Sequence, residues 1–219
     1  MCDSSFIFPA KMLCNEFREK TGIDPVITAN CSEFFLPLLK AGKEGDILIT
    51  RDPFIKSVYD YQVLAANAEV GFISAVLAVR KGNPRCIKSI EDLTADGVKV
   101  GLVNPQYSDF GEKVFRLLES KSLKDAVLKN AGKRLTKDDT DLANFLKLGA
   151  VDAVIMSSGV AKTFEDSVEI IRIPGNYQGP GRIHVIGLNY SESSMAVMQF
   201  VEFARDRGSD IFAKHGYAK

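Results

Sequence analysis

Small polar residues occur at four places in the sequence where a strand should lead into a helix, and these residues are best suited to bind a ligand. The segments are residues 3–6 (DSSF), 30–33 (NCSE), 104–111 (NPQYSDFG) and 156–159 (MSSG). Each precedes a predicted helix, so its hydroxyl and backbone N–H groups lie at the positive end of a helix dipole. Such an end binds a negatively charged group without a buried counter-charge. Together the segments predict a site for a small anion, whereas each one alone is equally typical of a helix cap.

The composition is that of a globular protein without a strong field of one sign. The chain has 219 residues, of which 46% are hydrophobic and 26% are charged, and 28 Lys and Arg residues balance 28 Asp and Glu residues. This balance predicts no nucleic-acid partner and no binding to a membrane surface. No apolar run reaches the roughly 18 residues of a membrane span.

The four cysteines show neither a CxxC motif nor a histidine at metal-ligand spacing, so no metal site and no cofactor are predicted. Free thiols are the first interpretation, and one disulfide that includes Cys2 is the alternative for an exported protein. Cys2 follows the initial Met, which is compatible with a lipid-anchored cysteine or with an ordinary buried one. The cysteines are Cys2, Cys14, Cys31 and Cys86.

Strand and helix patterns alternate along the chain, which predicts an α/β fold with mostly parallel sheets flanked by helices. Two long predicted strands, residues 72–80 and 182–188, bracket a central block. We therefore expect two lobes, one formed by residues 1–80 with 183–219 and the other by residues 81–182. Loops at the carboxyl ends of the strands would then line a cleft between the lobes. Further predicted strands are 25–28, 46–50, 98–103, 152–156 and 170–173. The predicted helices are 6–20, 34–40, one from 108 or 109 to about 120, 123–130, 139–148 and 192–207 with a short helix after it. A loop rich in Gly and Pro is predicted at residues 175–181.

The order of these motifs resembles that of the molybdate- and tungstate-binding proteins of ABC transporters, which have the type 2 periplasmic binding-protein fold. The resemblance covers nearly the whole chain and rests on several segments taken in order. They are DSSF, FREKTGIDP, LLKAGKEGDILITRDP, SAVLAVRKGNP, VGLVNPQYSDFG, LGAVDAVIMSSGVA and FAKHGY. The resemblance implies a two-lobed receptor that closes on a small anion by a hinge motion.

Site residues carried over from the resemblance lie on five loops. The family's second-loop serine corresponds to Cys31, and its ligand tyrosine corresponds to Ser157, so this chain departs from the family at both positions. Arg51 is added because a guanidinium at the end of a strand can bind a carboxylate or an oxyanion. The resulting set is Ser4, Ser5, Asn30, Cys31, Ser32, Arg51, Tyr107, Ser108, Phe110, Asp139, Thr140 and Ser157.

The predicted function is that of a periplasmic or extracytoplasmic, monomeric solute receptor that delivers its ligand to an ABC permease. The ligand is expected to be a molybdate- or tungstate-like oxyanion or a small carboxylate. The alternative is a cytoplasmic ligand-sensing domain that resembles the effector domain of LysR-type regulators. Catalysis would require a base near Cys31, and no such base is identifiable in the sequence, so no enzyme is predicted.

Overall fold

A computed structural model describes residues 1–174 and 181–217 of the chain. The chain divides into two compact units, Met1–Phe72 with Gly181–Lys219 and Ile73–Pro180. Each unit is built around its own five-stranded sheet. The predicted two-lobed α/β fold class is confirmed. The loop predicted at residues 175–181 falls outside the described residues except for Gly181.

The first unit contains a sheet in which three parallel strands are followed by an antiparallel one. Its elements are β1 (Cys2–Asp3), α1 (Ile7–Thr21), β2 (Ala29–Asn30), α2 (Ser32–Ala41), β3 (Ile47–Arg51), α3 (Ile55–Asp60), β4 (Leu64–Ile73), β10 (Gly181–Leu188) and α8 (Ser194–Lys214), with a 3₁₀ turn at Ser4–Phe6. The strand order is β2-β1-β3-β10-β4. Strand β1 pairs in parallel with both β2 and β3, and β10 runs antiparallel to β3.

The second unit repeats this order of strand directions. Its elements are β5 (Ala75–Arg80), β6 (Val100–Val103), α4 (Asp109–Ser120), α5 (Lys124–Ala131), β7 (Leu135–Thr136), α6 (Asp139–Lys147), β8 (Ala153–Ser157), α7 (Ser158–Thr163) and β9 (Val168–Arg172), with a 3₁₀ turn at Glu91–Thr94. The strand order is β7-β6-β8-β5-β9. Strand β6 is parallel to β7 and β8, whereas β5 is antiparallel to β8 and β9. Both sheets are therefore mixed, with three parallel strands each.

Strand β5 shows why the unit boundary differs from the predicted one. The pattern of residues 72–80 predicted one long strand in the first lobe. The structure instead breaks it at Ser74 into the end of β4 and the separate strand β5, which pairs with β8 and β9 of the second sheet. Arg182, which was placed in the second lobe, belongs to β10 of the first sheet. A continuous apolar run carries no information about which sheet its two halves join.

Two further differences concern short or interrupted elements. The strand predicted at residues 25–28 is displaced to β2, and Val26 is 90% exposed. The helix predicted to end near residue 207 continues to Lys214. Within this helix, position 208 is a glycine because a Cβ there would clash with Val70 of β4. The glycine therefore permits close packing of α8 on β4, although its position in the sequence resembles a helix end.

Apolar faces of the helices bury against each sheet. Helix α4 shows the principle, because Val114, Leu117 and Leu118 recur at helical spacing and all lie in the core of the second unit. In the first unit, Phe17 of α1 packs edge-on against Phe200 of α8, with ring centroids 5.0 Å apart. Burial of such side chains supplies about 25 cal/mol per Å² of apolar surface. These cores fix the strand ends at which the predicted ligand residues lie.

Candidate functional site

The carboxyl ends of β1, β2 and β3 gather the predicted residues of the first unit at one edge of its sheet. Asp3 pairs with Asn30, and Cys2 pairs with both Ala29 and Ile49. The loops that leave these three parallel strands therefore start side by side. Ser4, Ser5, Cys31 and Ser32 follow β1 and β2, and Arg51 is the last residue of β3.

Asp3 lies beneath these loops and accepts hydrogen bonds from two groups that were predicted to bind the ligand. Its side chain is buried, and its Oδ1 accepts from the backbone N–H of Ser5 at 3.0 Å. Its Oδ2 accepts from the hydroxyl of Ser32, whose Oγ also lies 2.8 Å from Oγ1 of the buried Thr50. A carboxylate only accepts hydrogen bonds, so the single proton of Ser32 is donated to Asp3. The Ser32 hydroxyl is therefore part of the protein interior and has no proton left for a ligand.

Ser4 and Ser5 are exposed, and their loop is held in place from the distant end of the chain. The hydroxyl of Tyr217 donates to the carbonyl oxygen of Ser5 at 2.6 Å. The ring of Tyr217 packs edge-on against Phe6 at 5.4 Å between centroids. Both serine hydroxyls consequently project from a fixed backbone.

Helix α2 begins without a side-chain cap. Cys31 is its N-cap residue, is exposed, and makes no capping hydrogen bond. Its own N–H donates to Oδ1 of Asn30 at 2.9 Å, so Asn30 orients the loop. The first N–H groups of a helix have no partner within the helix. The start of α2 is therefore a place where an acceptor can bind.

Arg51 ends β3 and is partly buried, and its guanidinium lies 5.9 Å from the ring centroid of Phe54. The neighbouring Asp52 is engaged elsewhere, since its Oδ2 accepts from the N–H of Arg182 at 3.2 Å and its Oδ1 lies 3.3 Å from Nε2 of His184. The other ring nitrogen of the buried His184 lies 3.3 Å from Nδ2 of Asn67. His184 therefore links β10 to the end of β3 through Asp52.

The second unit gathers its predicted residues in the same way, at the carboxyl ends of β6, β7 and β8. Oδ2 of Asp139 accepts from the N–H of Ser157 at 2.7 Å. Oδ1 of Asp138, the N-cap residue of α6, accepts from the N–H groups of Thr140 at 2.8 Å and Asp141 at 3.1 Å. Two backbone donors predicted for an anion, those of Thr140 and Ser157, thus already have carboxylate acceptors.

The loop between β6 and α4 presents a different set of groups. Ser108 caps α4 by accepting from the N–H of Gly111 at 3.5 Å, while the side chain of Phe110 is buried in the core. Tyr107 is 65% exposed, and Nζ of Lys137 lies 5.8 Å from its ring centroid. Tyr107 is therefore a surface residue of this loop.

Sequence reasoning missed the residues that form hydrogen bonds with the predicted ligand groups. Asp3 was read only as the start of its loop, and Thr50, Asp138 and Tyr217 were not singled out. An Asp or Thr at a strand end is typical of a cap, and Asp138 could have been identified by that signal. The contact of Tyr217 with Ser5 joins residues 212 positions apart, and nothing in the local pattern indicates it.

Other features of the described residues do not coincide with this site. A cavity of about 470 Å³ lies in the first unit and is lined by Met1, Cys14, Val26 and Phe200 among others, but by none of the predicted ligand residues. Within residues 1–174 and 181–217 there is no cluster of three or more side chains suited to hold a metal ion. In the same ranges, none of the helices combines the length and apolar character that crossing a membrane demands.

Comparison with solved structures finds proteins of similar fold. The substrate-binding domain assigned to a molybdenum ABC transporter of Clostridium difficile superposes with a TM-score of 0.87 at 18% identity, covering 100% of this chain and 96% of that one. The L-phospholactate-bound PEB3, a protein of Campylobacter jejuni, gives 0.74 at 18% identity, with 100% and 97% covered. The periplasmic molybdate-binding protein of Azotobacter vinelandii gives 0.74 at 16% identity, with 100% and 97% covered.

Sequence comparison gives the family. No curated protein matches the chain. The family model of bacterial extracellular solute-binding proteins matches residues 1–218. This match and the shared fold confirm the predicted resemblance. The chain belongs to the family of bacterial extracellular solute-binding proteins.

Proposed function

We propose that this solute-binding protein is the extracytoplasmic receptor of an ABC importer and that its ligand is a small anion. The observation that carries the proposal is the edge formed by β1, β2 and β3, where exposed Ser4 and Ser5, the uncapped start of α2 and Arg51 follow three adjacent parallel strands. Two proteins of similar fold are described as molybdenum or molybdate binders, and a third was crystallised with L-phospholactate. Both ligand types carry negatively charged oxygens.

Each group at this edge has a distinct role in the proposal. The hydroxyls of Ser4 and Ser5 and the first N–H groups of α2 next to Cys31 donate hydrogen bonds to the anion. Arg51 supplies the opposite charge through a planar fork of donors that matches a carboxylate. In the second unit, the proposed ligand-binding groups are Tyr107, Ser108 and the backbone of Phe110.

Delivery to the membrane subunits of an ABC permease completes the proposed function, with the receptor acting as a monomer and without a catalytic role. A ligand-sensing role like that of LysR-type effector domains has no observation in its favour. A lipid anchor on Cys2 is not part of the proposal. The Cys2 side chain is only 1% exposed within β1, and its Sγ contacts the backbone oxygen of Asp3 at 3.2 Å. An acyl chain on this sulfur would have no room in the sheet.

A ligand panel tests the proposal directly. The protein is titrated calorimetrically with molybdate, sulfate, acetate and L-lactate, and its thermal unfolding is followed at saturating concentrations of each. A ligand at a thousandfold excess over its Kd stabilises the folded state by about 4 kcal/mol. We expect at least one of these anions to bind and to raise the Tm.

Replacement of Arg51 locates the site. Arg51→Ala is expected to weaken binding of the responding anion roughly tenfold or more, because a charge-assisted pair is lost. Arg116→Ala, at an exposed residue of α4 that pairs with Glu112, is the matched control and should bind as the unaltered protein does. If none of the four anions binds, or if both variants lose the same affinity, the proposed site is wrong.

A further inference from the structure

We propose that Asp3 and Asp139 are specificity-determining residues that exclude fully ionised tetrahedral oxyanions and restrict the ligand to monoanionic carboxylates. This inference rests on the proposed function, whose ligand class it narrows. The observation behind it is that carboxylates of the chain itself take the donors on which a bare oxyanion would depend. The same arrangement occurs in each unit.

Asp3 provides the first of these carboxylates, at the end of the central parallel strand of its sheet. It is 6% exposed, and both of its oxygens accept hydrogen bonds from the ligand loops, one from the Ser5 N–H and one from the Ser32 hydroxyl. Thr50 supports Ser32 in turn, with their hydroxyl oxygens 2.8 Å apart. The network is complete without a ligand, so an oxyanion would have to break charge-assisted hydrogen bonds to enter it.

Asp139 provides the second carboxylate, at the first residue of α6. Its Oδ2 holds the Ser157 N–H at 2.7 Å. Asp138 holds the next two N–H groups of that helix start, those of Thr140 and Asp141. The positive end of α6 is therefore already neutralised by acidic side chains of the chain.

The charge of Asp3 also acts on any ligand that binds to the donors left over. Ser4, the Ser5 hydroxyl and the start of α2 adjoin Asp3 in the sequence or across the β1–β2 register. For an assumed separation of about 6 Å between an anion and this carboxylate, Coulomb's law with an effective dielectric constant of about 20 gives roughly a hundredfold loss of affinity per unit of ligand charge. A dianion such as molybdate or sulfate suffers this loss twice. A monocarboxylate suffers it once.

The test compares dianions with monocarboxylates on Asp3→Asn. Asparagine keeps an acceptor for the Ser5 N–H and is as good a capping residue as aspartate, but it carries no charge. Molybdate, sulfate, acetate and L-lactate are titrated into the unaltered protein, Asp3→Asn and the control Asp60→Asn. Asp60 lies on the surface of the same unit and pairs with Lys56, so its replacement changes the net charge equally.

We expect Asp3→Asn to bind molybdate or sulfate at least tenfold more tightly than the unaltered protein and Asp60→Asn do. The affinity for acetate and L-lactate should rise less. Equal dianion affinity in the unaltered protein and Asp3→Asn would overturn the inference. Asp139→Asn is expected to shift the preference in the same direction, and it decides the matter if Asp3→Asn does not fold. The titrations of the unaltered protein test the proposed function separately. If neither the monocarboxylates nor the dianions bind to it, the proposed function is wrong.

Discussion

The hydroxyl of Tyr217 donates a 2.6 Å hydrogen bond to the backbone oxygen of Ser5, and this bond ties the last described residue to the first loop of the site. The ring of Tyr217 also packs against Phe6, the residue that follows Ser5, and against Phe212 of α8. The position of the loop backbone thus depends on the end of the chain. Removal of the Tyr217 hydroxyl should therefore weaken the attachment of this loop.

Tyr217→Phe should lower the free energy of unfolding by about 1 kcal/mol, the net value of one such hydrogen bond, because the ring contacts stay while the donor is lost. Urea unfolding measures the change. The control is Tyr59→Phe, since Tyr59 is 53% exposed and should change stability by less than about 0.5 kcal/mol. Equal effects of the two replacements would contradict a role of the Tyr217 hydroxyl in holding the Ser5 loop.

Ser32→Ala should destabilise the first unit although Ser32 lies on a ligand loop. The replacement removes a donor from the buried carboxylate of Asp3 and a partner from Thr50, and hydrogen bonds to charged groups contribute about 2 kcal/mol. Ser4→Ala is the counterpart, because Ser4 is exposed and its replacement should weaken ligand binding with little change in stability. Urea unfolding and calorimetric titration of both variants separate the two roles. A stable Ser32→Ala protein would show that the network around Asp3 is unimportant for folding.

Gly111→Ala should destabilise the second unit by about 1 to 3 kcal/mol through steric overlap. A Cβ at Gly111 would lie 2.7 Å from the backbone oxygen of Val103 and 3.0 Å from that of Asn104. Helix propensity alone predicts the opposite sign, since alanine is favoured over glycine within a helix by about 1 kcal/mol. Thermal unfolding measures the change, with Glu112→Ala at the next, exposed position as the control. A more stable Gly111→Ala protein would mean that the loop at residues 104–108 can move away from α4.

Thiol labelling should divide the cysteines into two pairs. Cys31 and Cys86 are exposed, whereas Cys2 and Cys14 are buried. Burial raises the pKa of the Cys2 thiol to about 12 and that of Cys14 to about 11, so these two hold almost no thiolate at neutral pH. Mass spectrometry after iodoacetamide treatment of the folded protein is expected to find Cys31 and Cys86 alkylated, and all four after unfolding in urea. Alkylation of Cys14 in the folded protein would contradict the packing around α1.

The sequence was sufficient to predict most elements because their residues repeat with the period of a helix or a strand. Helices α4, α5 and α6 lie within two residues of their predicted bounds, and β3 within one. The exceptions have local physical reasons. Strands β1 and β2 are two residues long, too short for a period to be visible, and Gly208 marks close packing with Val70 instead of a helix end.

The candidate site was less predictable because a helix cap and an anion donor use the same residue types. Ser32 and Ser108 both precede or begin helices, yet the first donates to Asp3, 29 positions away, and the second caps its own helix. Asp139 reaches Ser157 across 18 positions. Which donors remain for a ligand depends on these contacts between distant residues, and one sequence does not reveal them.

Alkaline pH should destabilise the protein through the two buried thiols. In the folded state, burial keeps the thiol of Cys2 protonated up to about pH 12 and that of Cys14 up to about pH 11. In the unfolded chain both thiols lose their protons near the ordinary thiol pKa of 9.0. The unfolded state therefore binds fewer protons than the folded state above pH 9. The contribution of the two thiols to the free energy of unfolding is therefore fully present below pH 9, and it falls as the pH rises towards the folded-state pKa values. At pH 10 the loss in the free energy of unfolding is about 1 to 1.5 kcal/mol for each thiol.

Urea unfolding at about pH 8 and about pH 10 measures this loss. Cys14→Ala should reduce the pH dependence, whatever its own cost in packing, whereas Cys86→Ala should leave it unchanged because Cys86 is exposed. Equal pH dependence in the unaltered protein and Cys14→Ala would show that Cys14 ionises as readily in the folded state as in the unfolded chain.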